Sequence, residues 1–413
     1  MRCNFVSLQQ MSTVLPIKIS PTVLTWARES MGYSQEEAAH KGSLKEHQVR
    51  DWEEGKGNPT YAQLETLAYS VYKRPLAIFF RSTPPQEASI QQDFRNITNA
   101  EAEHLSPEMR LALRKAKHLQ NLIGRLNSDT ATTPKFRQFQ VSVQEKPEEA
   151  AKRFREFIGL SIQEQKSWNT ETSFEQFKIK VEGIGIYVFQ FDMPFQEARA
   201  FSLTDDYPIV VLNTADARNG RIFSLFHEVC HLLFNTGGIF KDKETSRLKA
   251  AYKAIEDFCN RFAAAFLIPD ELFKEDISNR DRHVQEWSDE DLERLAKLYS
   301  VSKEVVLRKL VDMRLASKDF LFAKKAGWDK VFQAFRDAQR SRAKEQAQLA
   351  KERGEKTGGG IPQEIKAVSE RGRPFIRQVL DNYEHGRIHY SDLPDYLGVK
   401  LEHLAKIIER ISK

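Results

Sequence analysis

His227, Glu228 and His231 occur as HEVCH inside the apolar run RIFSLFHEVCHLLF. Residues four apart share one face of a helix, so these two imidazoles can grip one zinc ion while Glu228, turned aside, addresses a water on that ion. With 10 histidines in 413 residues, about 0.02 chance matches to this spacing are expected, so coincidence is a poor account of it. A hydrolytic zinc needs three protein ligands and an open fourth position. The search for the third favours Glu256, 25 residues past His231 (256 minus 231) in KAIEDFCNRFAAAFLIP, with Asp257 and Glu244 as alternatives. Asn260 follows Glu256 by four and shares its face, where an amide could orient a ligating imidazole. Such a set serves amide hydrolysis: the metal supplies Lewis acidity and Glu228 carries a proton to the leaving amine.

The elements that must hold these residues are readable from periodicity. Apolar residues at helical spacing predict helices over 217–235, 245–267 and 289–315, after a helical stretch from 104 to 182. Between them GIGIYVFQF, EARAFSL and YPIVVLN are short, β-branched and aromatic, and predict a small sheet. Gly237, Gly238 and the polar KDKETS let the chain turn so that the second helix crosses the first. Cys230 and Cys259 each follow a candidate ligand by three residues, which brings them to the same crossing as small buried residues. A bridge between them, distorting the site on oxidation, is the sharper alternative.

HEVCH together with EDFCNRFAAAFLIP resembles the ImmA/IrrE family of zinc metallopeptidases over roughly residues 150–315. The resemblance implies His227, His231 and Glu256 as zinc ligands, Glu228 as general base, and a sheet like that of ARAFSL and PIVVLN whose edge holds substrate backbone. Cys259 departs from the family's usual alanine beside the asparagine. No oxyanion-stabilising residue follows from the sequence; Tyr252 is the candidate.

Nearer the N-terminus, Ser34 with Glu37, Ser43 with Glu46, and Thr60 with Gln63 match the capping box and predict three helix starts. Pro21 and Gly32 bracket a fourth helix whose Val23, Leu24 and Ala27 face a core. The run SQEEAA, the Trp52, Glu53, Gly55 turn and Pro59-Thr60 are similar to XRE-type helix-turn-helix domains. That resemblance makes the helix after Ser43 the one offered to a major groove, with Lys45, His47, Gln48 and Arg50 as DNA-contacting candidates. Glu46, Asp51, Glu53 and Glu54 put acids on the same stretch, which phosphates repel, so a protein-interaction module of the same shape is the alternative.

The expected architecture is mostly α with a small β-sheet (α+β). It comprises a five-helix helix-turn-helix domain (1–83), a linker and helical connector (84–149), a zincin-like metallopeptidase domain (150–318) and a C-terminal helical module (319–413) with a flexible hinge at 354–360. The polar stretch 333–353 reads as a solvated spacer. A net charge of +5 permits nucleic-acid contact without announcing it. Three cysteines suggest a reducing compartment, and neither a signal peptide nor a membrane span is visible, so a cytoplasmic protein without membrane partners is expected. The leading functional expectation is a zinc endopeptidase fused to a DNA-binding domain, cleaving a partner repressor or related regulator. A palindromic operator would call for a homodimer. The rival is a non-catalytic, antitoxin-like regulator that binds a partner toxin.

Overall fold

In the computed structural model the described residues are 18–87, 105–127, 133–169, 171–234, 246–278, 287–353 and 362–412. The expected hinge at 354–360, Glu244, Gly237 and Gly238 lie outside them. The chain divides into two compact units, Met1–Lys115 and Ala116–Lys413.

The first unit holds α1 (Pro21–Ser30), α2 (Gln35–Lys41), α3 (Glu46–Glu53) and α4 (Tyr61–Glu65), the last continuing as a wider turn over Thr66–Val71 and followed by a tight one over Leu76–Phe80. Val23, Leu24 and Ala27 are buried in its core with Trp52, Leu64, Tyr72 and Phe79, and Gly32 takes the left-handed conformation just past α1. The boxes at Ser34 and Thr60 form as expected. The one at Ser43 does not. Ser43 itself has φ +53°, which throws it off the helix axis, and α3 starts at Glu46, capped instead by the Gln48 Oε1 accepting from the Lys45 amide at 3.0 Å. Glu53 is not a free acid on the surface. Its side chain is 4% exposed and takes both Arg28 Nε at 2.8 Å and Nη2 at 3.0 Å, with Gln35 Nε2 at 2.9 Å. Glu54 pairs with Lys56 at 2.5 Å.

The division between the units falls inside α5 (Pro107–Leu126). The second unit continues with α6 (Pro147–Phe157), α7 (Ile162–Ser167) and α8 (Ser173–Glu182) before β1 (Tyr187–Phe191), β2 (Ala200–Leu203) and β3 (Ile209–Asn213). The three strands make one sheet in the order β1-β3-β2, with β1 parallel to β3 and β2 antiparallel to it. Then come α9 (Arg218–Leu233), α10 (Ser246–Leu267), α11 (Asp270–Ile277), α12 (Asp289–Tyr299), α13 (Lys303–Asp312) and α14 (Lys318–Glu352). Within 289–315 the chain makes two helices, because Ser300 caps α12 in the left-handed conformation and Val301 and Ser302 form the turn before α13. The polar stretch 333–353 falls in the second half of the 35-residue α14, where the described side chains are exposed apart from Ala350.

Every residue of β3 is buried, which is why its apolar run is continuous rather than alternating. Val188, Val210 and Leu212 enter the main core with Ile222, Phe226 and Phe262. Phe189, pointing the other way from β1, meets Phe375 edge-on at 5.6 Å between ring centres. That ring belongs to a C-terminal group of helices, α15 (Gln363–Arg371), α16 (Arg373–Glu384), α17 (Leu393–Leu397) and α18 (Leu404–Ser412), of which α15 packs on β1. Gln190, fully buried on β1, joins the layers: its Nε2 donates to Ser369 O at 2.8 Å and Oγ at 3.1 Å, and its Oε1 accepts from Arg221 of α9.

Gly372 opens α16 at φ +76°, and a Cβ there would stand 2.8 Å from Glu182 Oε1 and 3.0 Å from the Val188 carbonyl. Glu182 lies beneath it, 3.8 Å from the buried Lys178 ammonium, with Oε1 lacking a hydrogen-bond partner. Burial outweighs Lys178 and pushes this carboxyl up to about 7. A carboxyl raised in the folded state contributes stability that is complete below its unfolded value, near 4.5, and lost as pH rises through 7. About 2 to 3 kcal/mol should therefore disappear across that window, at about 1.4 kcal/mol per pH unit. Urea unfolding at pH 5 and pH 8 tests it: Glu182→Gln should show a shallower loss than the native chain, and equal losses would refute the assignment.

Candidate metal centre

Two helices make the site by crossing. α9 packs on β2 and β3 through Ile222, Leu225, Phe226 and Val229, which leaves His227 and His231 on its other side. α10 lies against α9, fastened by Phe226 stacked on Phe266 at 4.0 Å and by Phe234 edge-on to Phe258 at 5.0 Å. Its own spacing of Ile255, Phe258, Phe262 and Phe266 buries one face and brings Glu256 to the imidazoles.

His227 Nε2 and His231 Nε2 are 3.0 Å apart. Glu256 Oε2 is 3.3 Å from the first and Oε1 3.1 Å from the second. Tetrahedral ligands about 2.05 Å from a zinc ion stand about 3.3 Å from one another, so the three side chains already have the separations of a zinc cage. Among the described residues this is the group of histidine, cysteine and acidic side chains that could hold a metal ion. Burial opposes ionisation of Glu256, but hydrogen bonds with both imidazoles outweigh it and hold its pKa far below the ordinary value. Burial likewise opposes a charge on His231, yet Cys259 and Glu256 raise its pKa well above the ordinary one. Both directions describe a centre whose field favours positive charge, as a divalent cation requires.

The alternatives for the third ligand separate cleanly. Asp257, one residue on, is exposed on the wall of a cleft of about 1020 Å³ that opens onto His227 and Glu228. Asn260 lies on the same wall, with no hydrogen bond to either imidazole, and His227 Nδ1 is buried without a partner. Tyr252 is not among the side chains lining the cleft. Cys230 and Cys259 are buried free thiols in hydrogen-bond contact, and Cys259 also bonds His231. The cleft floor runs from Ala198 and Ala200, beside β2, to Val305 of α13 and Leu321 of α14.

Glu228 is 7% exposed and accepts a hydrogen bond from Ser202 Oγ of β2 at 2.7 Å. Sequence reasoning missed Ser202. The only signal was a small polar residue on a short apolar strand, which by itself marks nothing.

On α3 of the first unit, Lys45, His47 and Arg50 are exposed and Gln48 is half-buried against its capping role. Arg50 is thus the side chain of this set with a guanidinium free to reach outward, while Gln48 has already committed its oxygen.

No helix among the described residues is long and apolar enough to cross a membrane. No curated protein matches the chain. Residues 181–311 match the peptidase family model described as the IrrE N-terminal-like domain, a span that contains all three converging side chains and Glu228. Residues 24–68 match the helix-turn-helix family model. The chain therefore joins an N-terminal helix-turn-helix domain to an IrrE-like, protease-family domain within a mostly helical α+β fold.

Proposed function

We propose that the protein is an intracellular zinc endopeptidase whose helix-turn-helix domain binds DNA, and that it regulates transcription by cutting a partner repressor or related protein. The observation that carries this reading is the convergence of His227, His231 and Glu256 within 3.0 to 3.3 Å beside a buried carboxylate at the end of an open cleft. Zinc in that cage supplies Lewis acidity and a water that is reactive at neutral pH. With the metal held there, Glu228, adjacent to the cage and lining the cleft, would hold the proton of the attacking water on a carboxylate oxygen and pass it to the nitrogen of the departing amine. A substrate segment lies along the cleft near Ala198 and Ala200. A merely binding scaffold has no use for four polar side chains in this arrangement.

The DNA half rests on α3. Arg50 is exposed and suited to the two acceptors of a guanine edge, whereas Gln48, holding the Lys45 amide, lacks the free oxygen that bidentate contact with adenine needs. With Glu53 and Glu54 neutralised internally, the acidic repulsion of this surface is reduced to Glu46 and Asp51. A duplex selected from a random-sequence pool should lose about 1 to 3 kcal/mol of affinity with Arg50→Ala, and less with Gln48→Ala. No selection of any duplex by the native chain would remove the DNA half of the proposal. A palindromic selected site would add a homodimer to it.

A further inference from the structure

Glu228 is almost wholly desolvated, and among the described residues Ser202 is its one hydrogen-bond donor. Ser202 does not line the cleft, whereas Glu228 and Ala200 do. The hydroxyl therefore meets the carboxylate from behind, at Oε2, and leaves Oε1 without a protein donor. We infer that Ser202 is a positioning residue: it fixes the rotamer of Glu228 so that the unbonded oxygen faces the cleft. This rests on the proposed role of Glu228 as general base.

The local sequence supports the assignment. In β2 the alternation sends Phe201 and Leu203 into the interior, so Ala200 and Ser202 share the face turned to α9, which packs on this strand. Ser202 pairs with Val210 on β3, and that ladder fixes its height opposite Glu228. Serine is a poor strand former beside valine or threonine; a hydroxyl there satisfies a buried carboxylate, which an apolar residue of the same size would leave unpaired. The carboxylate's own helix offers no substitute, because Ser224, one turn earlier, makes no hydrogen bond to it.

The test uses the full chain loaded with zinc, and with cobalt for absorption measurements, and acetohydroxamate as the probe. A hydroxamate chelates such a metal and hydrogen-bonds to the neighbouring general base, so its affinity reports where the Glu228 oxygen points without any turnover. Ser202→Ala should bind acetohydroxamate about ten-fold more weakly than the native chain, the scale of one hydrogen bond to a charged group. Ser202→Thr, which keeps the hydroxyl, should restore affinity to within about three-fold, and all three proteins should carry the same metal content. Equal affinity in the native chain and Ser202→Ala would overturn the inference, as would equal losses in the alanine and threonine variants. A native chain that takes up no metal would instead defeat the metal-centre proposal itself, and metal analysis distinguishes the two failures.

Discussion

Glu228→Gln should retain its full complement of zinc and lose at least ~100-fold in cleavage rate, the usual scale for a missing general base. The substitution keeps the size of the side chain and its bond with Ser202, so folding and the three converging ligands are left in place. What it removes is the ability to take a proton. The measurement is the appearance of new N-termini, followed by mass spectrometry, in an extract of the cells that make the protein, comparing native chain and variant at equal zinc content. Equal rates would sink the peptidase reading. Zinc bound in both with no cleavage by either would favour the rival view, a regulator that uses the same fold to hold a toxin.

Loss of a ligand should be larger still in its effect on the metal. Purified native chain should carry one zinc, and His231→Ala should weaken zinc binding by more than ~100-fold, beyond the 10- to 100-fold typical of outer partners that only orient ligands. Because a bound ion stabilises the folded state by mass action, a chelator should lower the unfolding temperature of the native chain and leave that of His231→Ala unchanged. Asp257→Ala provides the contrast: its carboxylate lies on the cleft wall and its removal should leave zinc content intact. If Asp257→Ala strips the metal and Glu256→Ala does not, the third ligand has been misassigned.

The features legible in the sequence were those carried by local spacing. The i, i+4 relation of His227 and His231 needs only a helix, and the apolar face of α10 implies that Glu256 arrives at a crossing. Capping at Ser34 and Thr60 depends on residues three apart, and formed as expected. What failed or went unseen depends on backbone conformation or on distant partners. Ser43 has the residue type of a cap, yet its positive φ moves the cap to Lys45 and Gln48. Glu53 reads as a repulsive acid until Arg28, 25 positions earlier, closes on it. Ser202 meets Glu228 across 26 positions, and the seating of α15 on β1 joins segments separated by nearly half the chain; no periodicity encodes either.

The Gln190 junction sets where this protein can be cut apart. A fragment trimmed to the family match, or ended near residue 353, would lose Ser369 and Phe375, so the amide of Gln190 would sit in the interior without its acceptors and the ring of Phe189 would face water. β1 is an edge strand, paired with β3 on one side, and once uncovered it is ready to recruit another copy of itself. Fragments that keep residues 362–412 should therefore remain monodisperse, and those without them should aggregate, even though every candidate metal ligand lies upstream of either cut.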